Sequence, residues 1–388
     1  MKKIAVLTGT RAEYGLLKPL LQKIRQDEEL NLCLIATGAH LEKQFGETVS
    51  EIERDGFKID HRVKMDLRSD KPDGILKSIA LELNGLADVF EQEQPDLLIL
   101  LGDRYEILMA ATTALINRVP IAHIHGGELT QGLIDEGIRH AVTKMSAIHF
   151  TSTEEYRKRV IQMGEQPDRV FNVGALGVEN IFKITYLSRE ELTQKFGIDW
   201  QKPVVMVTYH PVTLENNTTE EQFGNLLHVL EEHGEYNYVF TYANADTDGQ
   251  VINRMIDKFV AEKKNCRAFA SMGQVGYLSM LKYAAAVVGN SSSGLIEVPS
   301  FQIPTVNIGN RQTGRVKAQT VIDCGTGEAE VENAFACAMS EEFQEECANA
   351  SNPYEGKNTA DKILQELKIY LRDFTNTEKK FYDIGEEK

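Results

Sequence analysis

The sequence predicts an α/β protein made of two Rossmann-like domains. Short Val-, Ile- and Leu-rich runs alternate with longer amphipathic stretches, the pattern of buried parallel strands joined by crossover helices. The alternation pauses over Gly174–Ser188 and restarts at Pro203, and the 388 residues exceed what one domain of roughly 100–200 usually holds. In the first half the strand runs are KIAVL (Lys3–Leu7), LCLIA (Leu32–Ala36), LLILL (Leu97–Leu101), PIAHI (Pro120–Ile124) and AIHFT (Ala147–Thr151). Helical periodicity lies between them at Glu13–Arg25, Gly74–Phe90, Tyr105–Asn117 and Glu136–Lys144. The second half runs PVVMVTYHP (Pro203–Pro211), YNYVF (Tyr236–Phe240), RAFA (Arg267–Ala270), AAVVGNSS (Ala285–Ser292), PTVNIG (Pro304–Gly309) and QTVI (Gln319–Ile322). A hinge in the pause gives domains 1–180 and 181–358. The last helical pattern, Thr359–Phe374, comes too late to build the second sheet, so 359–388 is assigned to a helix packing back on the first domain and a tail, FYDIGEEK, that reads as frayed.

Apolar residues make up 42% and charged residues 26%, which excludes a disordered, collagen-like or disulfide-scaffold chain. With 42 Lys plus Arg against 58 Asp plus Glu, the net charge of −16 repels nucleic-acid phosphates and anionic lipid, so an anionic ligand needs a local nest of donors. The five cysteines are scattered with no C-x-x-C, which points to neither disulfides nor zinc and to a reduced, cytoplasmic setting. No run has the length of a signal h-region or a membrane span.

Ligands of open α/β sheets collect beyond the carboxyl ends of the strands, so the residues after each strand carry the information. After the first comes TGTRAEYG, where Gly9 permits a tight turn and Arg11 stands at the mouth of a helix, suited to a phosphate or simply solvated. The segment lacks G-x-G-x-x-G, which argues against NAD. After LLILL come Asp103 and Arg104; after PIAHI come His123, His125, Gly126, Gly127 and Glu128, the paired glycines allowing close approach of the backbone to a ligand. Asp135, Glu136, Arg139 and His140 then open a helix with Asp135 as its expected N-cap. Alternation puts His123 and His125 on one face, but no third ligand is assured and no metal is assigned. Several acids at neighbouring strand ends instead suit acid–base chemistry.

In the second half, His210 follows a strand and precedes Pro211. GNSSSGLIE places Ser291, Ser292 and Ser293 at a helix N-terminus with Gly294 in the first turn, a cradle for a diphosphate through backbone N–H groups and the helix dipole. One turn on, Glu297 is placed to accept both hydroxyls of a ribose, and NIGNRQTGR adds Arg311 and Arg315 as phosphate clamps.

The ordered set GTRAEYG, GDR, HIHGGE, IDEGIRH, YHP, GNSSSG-x-x-E and GNRQ resembles the UDP-N-acetylglucosamine 2-epimerase family over nearly the whole chain, and its hydrolysing branch in particular. The resemblance implies a GT-B-like pair of domains facing a central cleft, with the final helix returning to the first. It implies homodimers or homotetramers, and a UDP-sugar as the partner molecule. It also implies that Arg11 and His210 touch the diphosphate, that Ser291 and Ser292 bind phosphate, that Glu297 binds the ribose and Arg311 lines the UDP site. Asp103 and Asp135 match catalytic carboxylates. Some members carry HIEGGE, so His125 replaces a catalytic Glu here and the acid–base expectation moves to Glu128. Others have a Lys where this chain has Leu16, with Lys18 two residues on.

The chemistry follows from the substrate. The C2 proton of a nucleotide sugar has no adjacent carbonyl, so breaking the C1–O bond first creates an oxocarbenium-like centre that acidifies it. Arg11, His210, the serines and Arg311 hold the departing UDP charge while a carboxylate takes the C2 proton to give a glycal, which a second acid–base pair hydrates from the opposite face. Neither step needs a cofactor. Two alternatives share the architecture: a sugar transferase, which needs an acceptor pocket, and a nucleotide-sugar sensor, which has no use for Asp103 and Asp135. A 4-acetamido-4,6-dideoxy substrate, as in legionaminic acid synthesis, differs only at C4 and C6 and is equally compatible with the uridine contacts.

Overall fold

The computed structural model describes all residues except 44–45, 70, 131–133, 212–217, 244–248, 374–377 and 386–388. The chain divides into two compact units: Met1–Glu128, Asp135–Asn180 and Gly356–Lys388 form the first, and Leu129–Ile134 and Ile181–Glu355 the second.

In the first unit the strands are β1 (Lys2–Thr8), β2 (Leu30–Ala36), β3 (His61–Arg62), β4 (Leu97–Leu101), β5 (Ile121–Ile124), β6 (Ile148–Thr151) and β7 (Val170–Asn172). All pair in parallel, in the order β3-β2-β1-β4-β5-β6-β7. Helices cover both faces, so the strands are buried on both sides and read as unbroken apolar runs; Leu97, Leu98, Ile99 and Leu100 are all 0% exposed. Thr10 caps the Arg11–Gln26 helix, its hydroxyl accepting from Glu13 N–H while the Glu13 carboxyl accepts from the backbone at Thr10.

The second unit repeats the plan with β8 (Val204–Thr208), β9 (Asn237–Thr241), β10 (Cys266–Phe269), β11 (Ala286–Gly289), β12 (Thr305–Ile308) and β13 (Val321–Cys324), in the parallel order β10-β9-β8-β11-β12-β13. Chain order reverses between β1 and β4 in one sheet and between β8 and β11 in the other. Such switch points open a crevice beyond the carboxyl strand ends. Gly9–Arg11 and Gly102–Arg104 flank the first, and Tyr209–His210 and Asn290–Ser293 the second.

The last helix, Thr359–Asp373, returns to the first unit, where Thr359 Oγ1 donates to the Val173 carbonyl at 2.8 Å and Glu179 accepts from Ala360 N–H at 2.8 Å. Phe374, the expected end of this helix, lies outside the described residues. Two short strands escape the sequence reading. β3 and β7 are edge strands of two and three residues with no apolar run to betray them. Of the expected tail, Phe381 and Ile384 are 63% and 65% exposed, and Tyr382 N–H donates to the Gly164 carbonyl at 2.9 Å; residues 386–388 lie outside the description. Among the described residues no helix is long and apolar enough to cross a membrane.

Three carboxyls from three helices, Glu13, Glu82 and Glu106, are buried behind Gly9 and Gly38. Burial first, then Glu106, pushes Glu13 up to about 8 and Glu82 up to about 9. Between an ordinary value of 4.5 and these raised ones, the folded chain keeps protons that the unfolded chain has released. Stability therefore falls as pH rises through that window, by up to about 1.4 kcal/mol per unit for each group. Glu82→Gln cannot ionise, so its thermal midpoint should gain on wild type by an amount that grows from about pH 5 to about pH 8, on the order of 2 kcal/mol at the upper end. Parallel pH profiles for the two proteins would show that Glu82 carries no retained proton.

Candidate active site

In the first unit, Asp103 and Glu128 follow the carboxyl ends of β4 and β5, and the helix Ile134–Met145 carries Asp135 and Arg139. Arg139 is 1% exposed and joins the segments that follow β4 and β5. Its Nε donates to Asp103 Oδ2 at 2.9 Å and its Nη2 to the same oxygen, while Nη1 donates to the Glu128 carbonyl at 2.8 Å and to Glu136 Oε2 at 3.0 Å. Burial works against the charge, but Asp103, Glu128 and Glu136 outweigh it and hold the guanidinium above its ordinary value. Glu128 is 3% exposed, with its Oε1 accepting from Ser152 Oγ at 3.0 Å and lying 3.8 Å from His125 Nδ1. Neither Ser152 nor the Arg139 grip on the Glu128 carbonyl announces itself in the sequence, since both depend on which strand neighbours which.

His125 departs from its expected geometry. β5 ends at Ile124, and His125 turns out of the strand at φ 67°, with its N–H still bonded to the Phe150 carbonyl at 2.8 Å. The strand alternation that puts it beside His123 therefore fails. A non-glycine residue held there stores roughly 1–3 kcal/mol, the kind of strain that concentrates at functional positions. His123 is fully buried. It donates Nε2–H to the Gly102 carbonyl at 2.8 Å and accepts at Nδ1 from Thr143 Oγ1 at 3.2 Å, and burial pushes its ring down to about 3, so it is neutral scaffolding behind Asp103.

Three further expectations need correction. The helix starts at Ile134, so Asp135 is a half-buried residue inside the first turn and not its cap. Gly127, at φ 81°, is demanded by protein packing, because a Cβ there would sit 2.6 Å from the Tyr156 carbonyl oxygen. Gly9 adopts no left-handed turn; its N–H donates to Glu13 Oε2 at 2.7 Å, and a Cβ would press on that same carboxyl at 3.4 Å. Arg11 is the first residue of its helix and lies 3.5 Å from Glu51, a partly exposed pair of small energy that an incoming phosphate can displace. Lys18 pairs with Asp55 at 2.7 Å.

In the second unit, His210 and Asn290 are locked to each other. His210 N–H donates to Asn290 Oδ1 at 2.7 Å and Asn290 Nδ2 donates to the His210 carbonyl at 2.8 Å, so the amide side chain continues the sheet as a substitute peptide. The Asn290 carbonyl in turn accepts from Gln312 Nε2 at 2.8 Å and Arg311 Nη1 at 3.3 Å. One asparagine thus ties the YHP, GNSSSG and GNRQ segments together, a role the sequence reading missed. Burial, aided by Arg311, pushes His210 down to about 3, so its ring is neutral.

The serine loop is built differently from the expectation. Ser293–Ile296 forms one turn, followed by a 3-10 turn Val298–Phe301, so there is no long helix whose dipole could act. Ser292 precedes that turn without a side-chain cap, Ser293 N–H reaches Ser291 Oγ at 3.4 Å, Ser293 Oγ accepts from Tyr277 at 2.9 Å, and Gly294 N–H donates to the Ser291 carbonyl at 3.1 Å. What remains is a compact cluster of hydroxyls beside half-buried Glu297 and Arg311. Gly289 is indispensable to it: at φ 138° a Cβ would overlap the Thr208 carbonyl oxygen.

Among the described residues, the His, Cys and carboxylate group compact enough for a metal is Cys33, His61 and Glu93, which includes none of the site residues. There His61 Nε2 bonds Glu93 at 2.7 Å and Lys3 Nζ bonds its other oxygen at 2.9 Å, an internal ion pair.

Comparison with known proteins decides the family. The model of the UDP-N-acetylglucosamine 2-epimerase family matches residues 22–368. The chain belongs to the UDP-N-acetylglucosamine 2-epimerase family. Polysialic acid biosynthesis protein P7 of Escherichia coli is 40% identical over 387 residues, covering 100% of this chain and 98% of its own length. The GDP/UDP-N,N'-diacetylbacillosamine 2-epimerase (hydrolyzing) of Campylobacter jejuni is 39% identical over 345 residues, 89% of each chain. The crystal structure of UDP-GlcNAc 2-epimerase from Neisseria meningitidis bound to UDP-GlcNAc superposes with a TM-score of 0.81 at 19% identity, covering 95% of this chain and 100% of that one, and so shares the fold. The two-domain α/β architecture of this epimerase family, GT-B-like, is the one described above.

Proposed function

We propose that the protein is a hydrolysing UDP-N-acetylglucosamine 2-epimerase, releasing N-acetylmannosamine and UDP for nonulosonic acid synthesis. The observation that carries this reading is buried Arg139 bonding both the Asp103 carboxylate and the Glu128 backbone carbonyl, with Asp135 on the same helix, an arrangement of acids that a nucleotide sensor would not need. The names of the E. coli and C. jejuni relatives support the hydrolysing branch.

Ser291, Ser292, Ser293 and Gly294 with Arg11, Arg311 and the neutral His210 hold the diphosphate, and Glu297 takes the ribose hydroxyls. As the C1–O bond breaks, its electron pair leaves with UDP, and a carboxylate of the Asp103, Glu128 and Asp135 set removes the C2 proton to form the glycal. Water then adds its hydroxyl at C1 while a proton is delivered to C2 on the opposite face. His125, strained and beside Glu128, orients that carboxylate or the incoming water. The protonation balance closes without a redox partner: one water enters, and UDP and a free sugar leave.

The C. jejuni relative's name supports a second substrate, UDP-N,N'-diacetylbacillosamine, handled by the same steps. Product mass spectrometry in deuterated water, with each UDP-sugar offered separately, tests both. The expected result is free UDP and a 2-epimeric monosaccharide with one deuterium at C2. An intact epimeric UDP-sugar would move the protein to the non-hydrolysing branch, and binding without deuterium incorporation would make it a sensor.

A further inference from the structure

Residues 378–385 follow the final helix and form a strap on the first unit. Tyr382 N–H bonds the Gly164 carbonyl, Gln166 Nε2 bonds the Lys380 carbonyl at 3.3 Å, and the Phe381 ring fills the space over Gly164 with Lys144 Nζ 4.8 Å above it. The deepest contact is Lys379. Its Nζ donates to the carbonyls of Ser146 at 2.7 Å, Lys144 at 2.8 Å and Thr143 at 3.5 Å, and pairs with Glu165 at 2.6 Å. These are carbonyls at the end of the Ile134–Met145 helix, where the last turn lacks intrahelical N–H partners and a cation is favoured. Glu165 is itself 2% exposed and bonded to His149 at 2.9 Å and Lys144 at 2.7 Å.

The first turn of that helix carries Asp135 and Glu136, and Arg139 stands at its middle. Thr143, whose carbonyl Lys379 holds, supports His123 through its hydroxyl, and His123 holds the Gly102 carbonyl one residue before Asp103. Arg139 closes the circuit by gripping Asp103 from the same helix. The helix is therefore bonded at its middle and at its carboxyl end, and a shift along its axis would move Arg139 and Asp135 relative to Asp103 and Glu128.

We propose that Lys379 is a positioning residue for the acid–base cluster, acting by pinning the carbonyl end of the Ile134–Met145 helix; this rests on the reading of the reaction given above. Lys379→Met in the full chain removes the ammonium and keeps the packing of the stem, while Lys379→Arg keeps charge and donors. For the Met variant kcat should fall by about tenfold, in the range that a sub-ångström displacement of reacting groups produces, with KM for the UDP-sugar within about twofold, because the Lys379 ammonium bonds none of the residues assigned to the nucleotide. The Arg variant should recover most of the turnover, and both should be assayed well below their thermal midpoints. Turnover by the folded Met variant within about twofold of wild type, or a loss confined to KM, overturns the proposal. Hydrogen exchange gives an independent arm: amides 139–146 should exchange at least about tenfold faster in the Met variant, and unchanged exchange also overturns it. If wild type releases UDP from neither UDP-sugar, the functional reading fails, and the exchange arm still decides whether Lys379 holds the helix.

Discussion

Replacing Asp103 with Asn lowers kcat by about 10²–10⁴, the worth of one acid or base in proton transfer, while UDP affinity stays near wild type. The amide keeps the shape and the hydrogen-bond acceptor facing Arg139, but it can neither take the C2 proton nor balance the guanidinium. Arg139 then keeps Glu136 at 3.0 Å as a charged bond partner, beside the Glu128 carbonyl. A buried cation that loses its anion destabilises by about 3 kcal/mol, so a lowered thermal midpoint should accompany the slower rate. Single-turnover rates and UDP calorimetry on the folded variant separate the two effects. A variant with kcat within about fivefold of wild type would remove Asp103 from the acid–base set.

Gly289→Ala should have the largest effect on the second unit. The added Cβ would overlap the Thr208 carbonyl oxygen, and the backbone at φ 138° is closed to L side chains. Gly289 pairs with Thr208 across β11 and β8, and the very next residue makes the reciprocal bonds to His210. Relief requires β11 to part from β8, which separates the YHP and serine segments. A cost of about 3–5 kcal/mol and a loss of UDP affinity of at least about a hundredfold are expected, read by thermal unfolding and calorimetry. Wild-type UDP affinity in the Gly289→Ala variant would show that the serine loop does not depend on this turn.

The central strands were legible because both faces are buried: LLILL admits no polar residue, so it stands out from any amphipathic helix. His61–Arg62 and Val170–Asn172 were not, since an edge strand of two or three residues has no period to read. At the site, the residue types and their order along the chain were visible. What holds them was not. Arg139 stands 36 residues from Asp103, and the Asn290 side chain imitates a peptide group 80 residues from its partner. No local pattern reports such bonds, and the same holds for Glu13, Glu82 and Glu106, which meet only because three helices pack.

The first unit also has a consequence for synthesis. Its sheet is begun at β1, yet the helix that seals it, bonded through Thr359 to Val173 and through Ala360 to Glu179, is translated after the whole of Ile181–Glu355. On the ribosome the second unit can therefore finish folding while the half started earlier still exposes the surface that Ile363 and Leu367 will cover. An early stop codon in this stretch would spare the later-started half and leave the earlier one open, a polarity of damage opposite to the order of the chain.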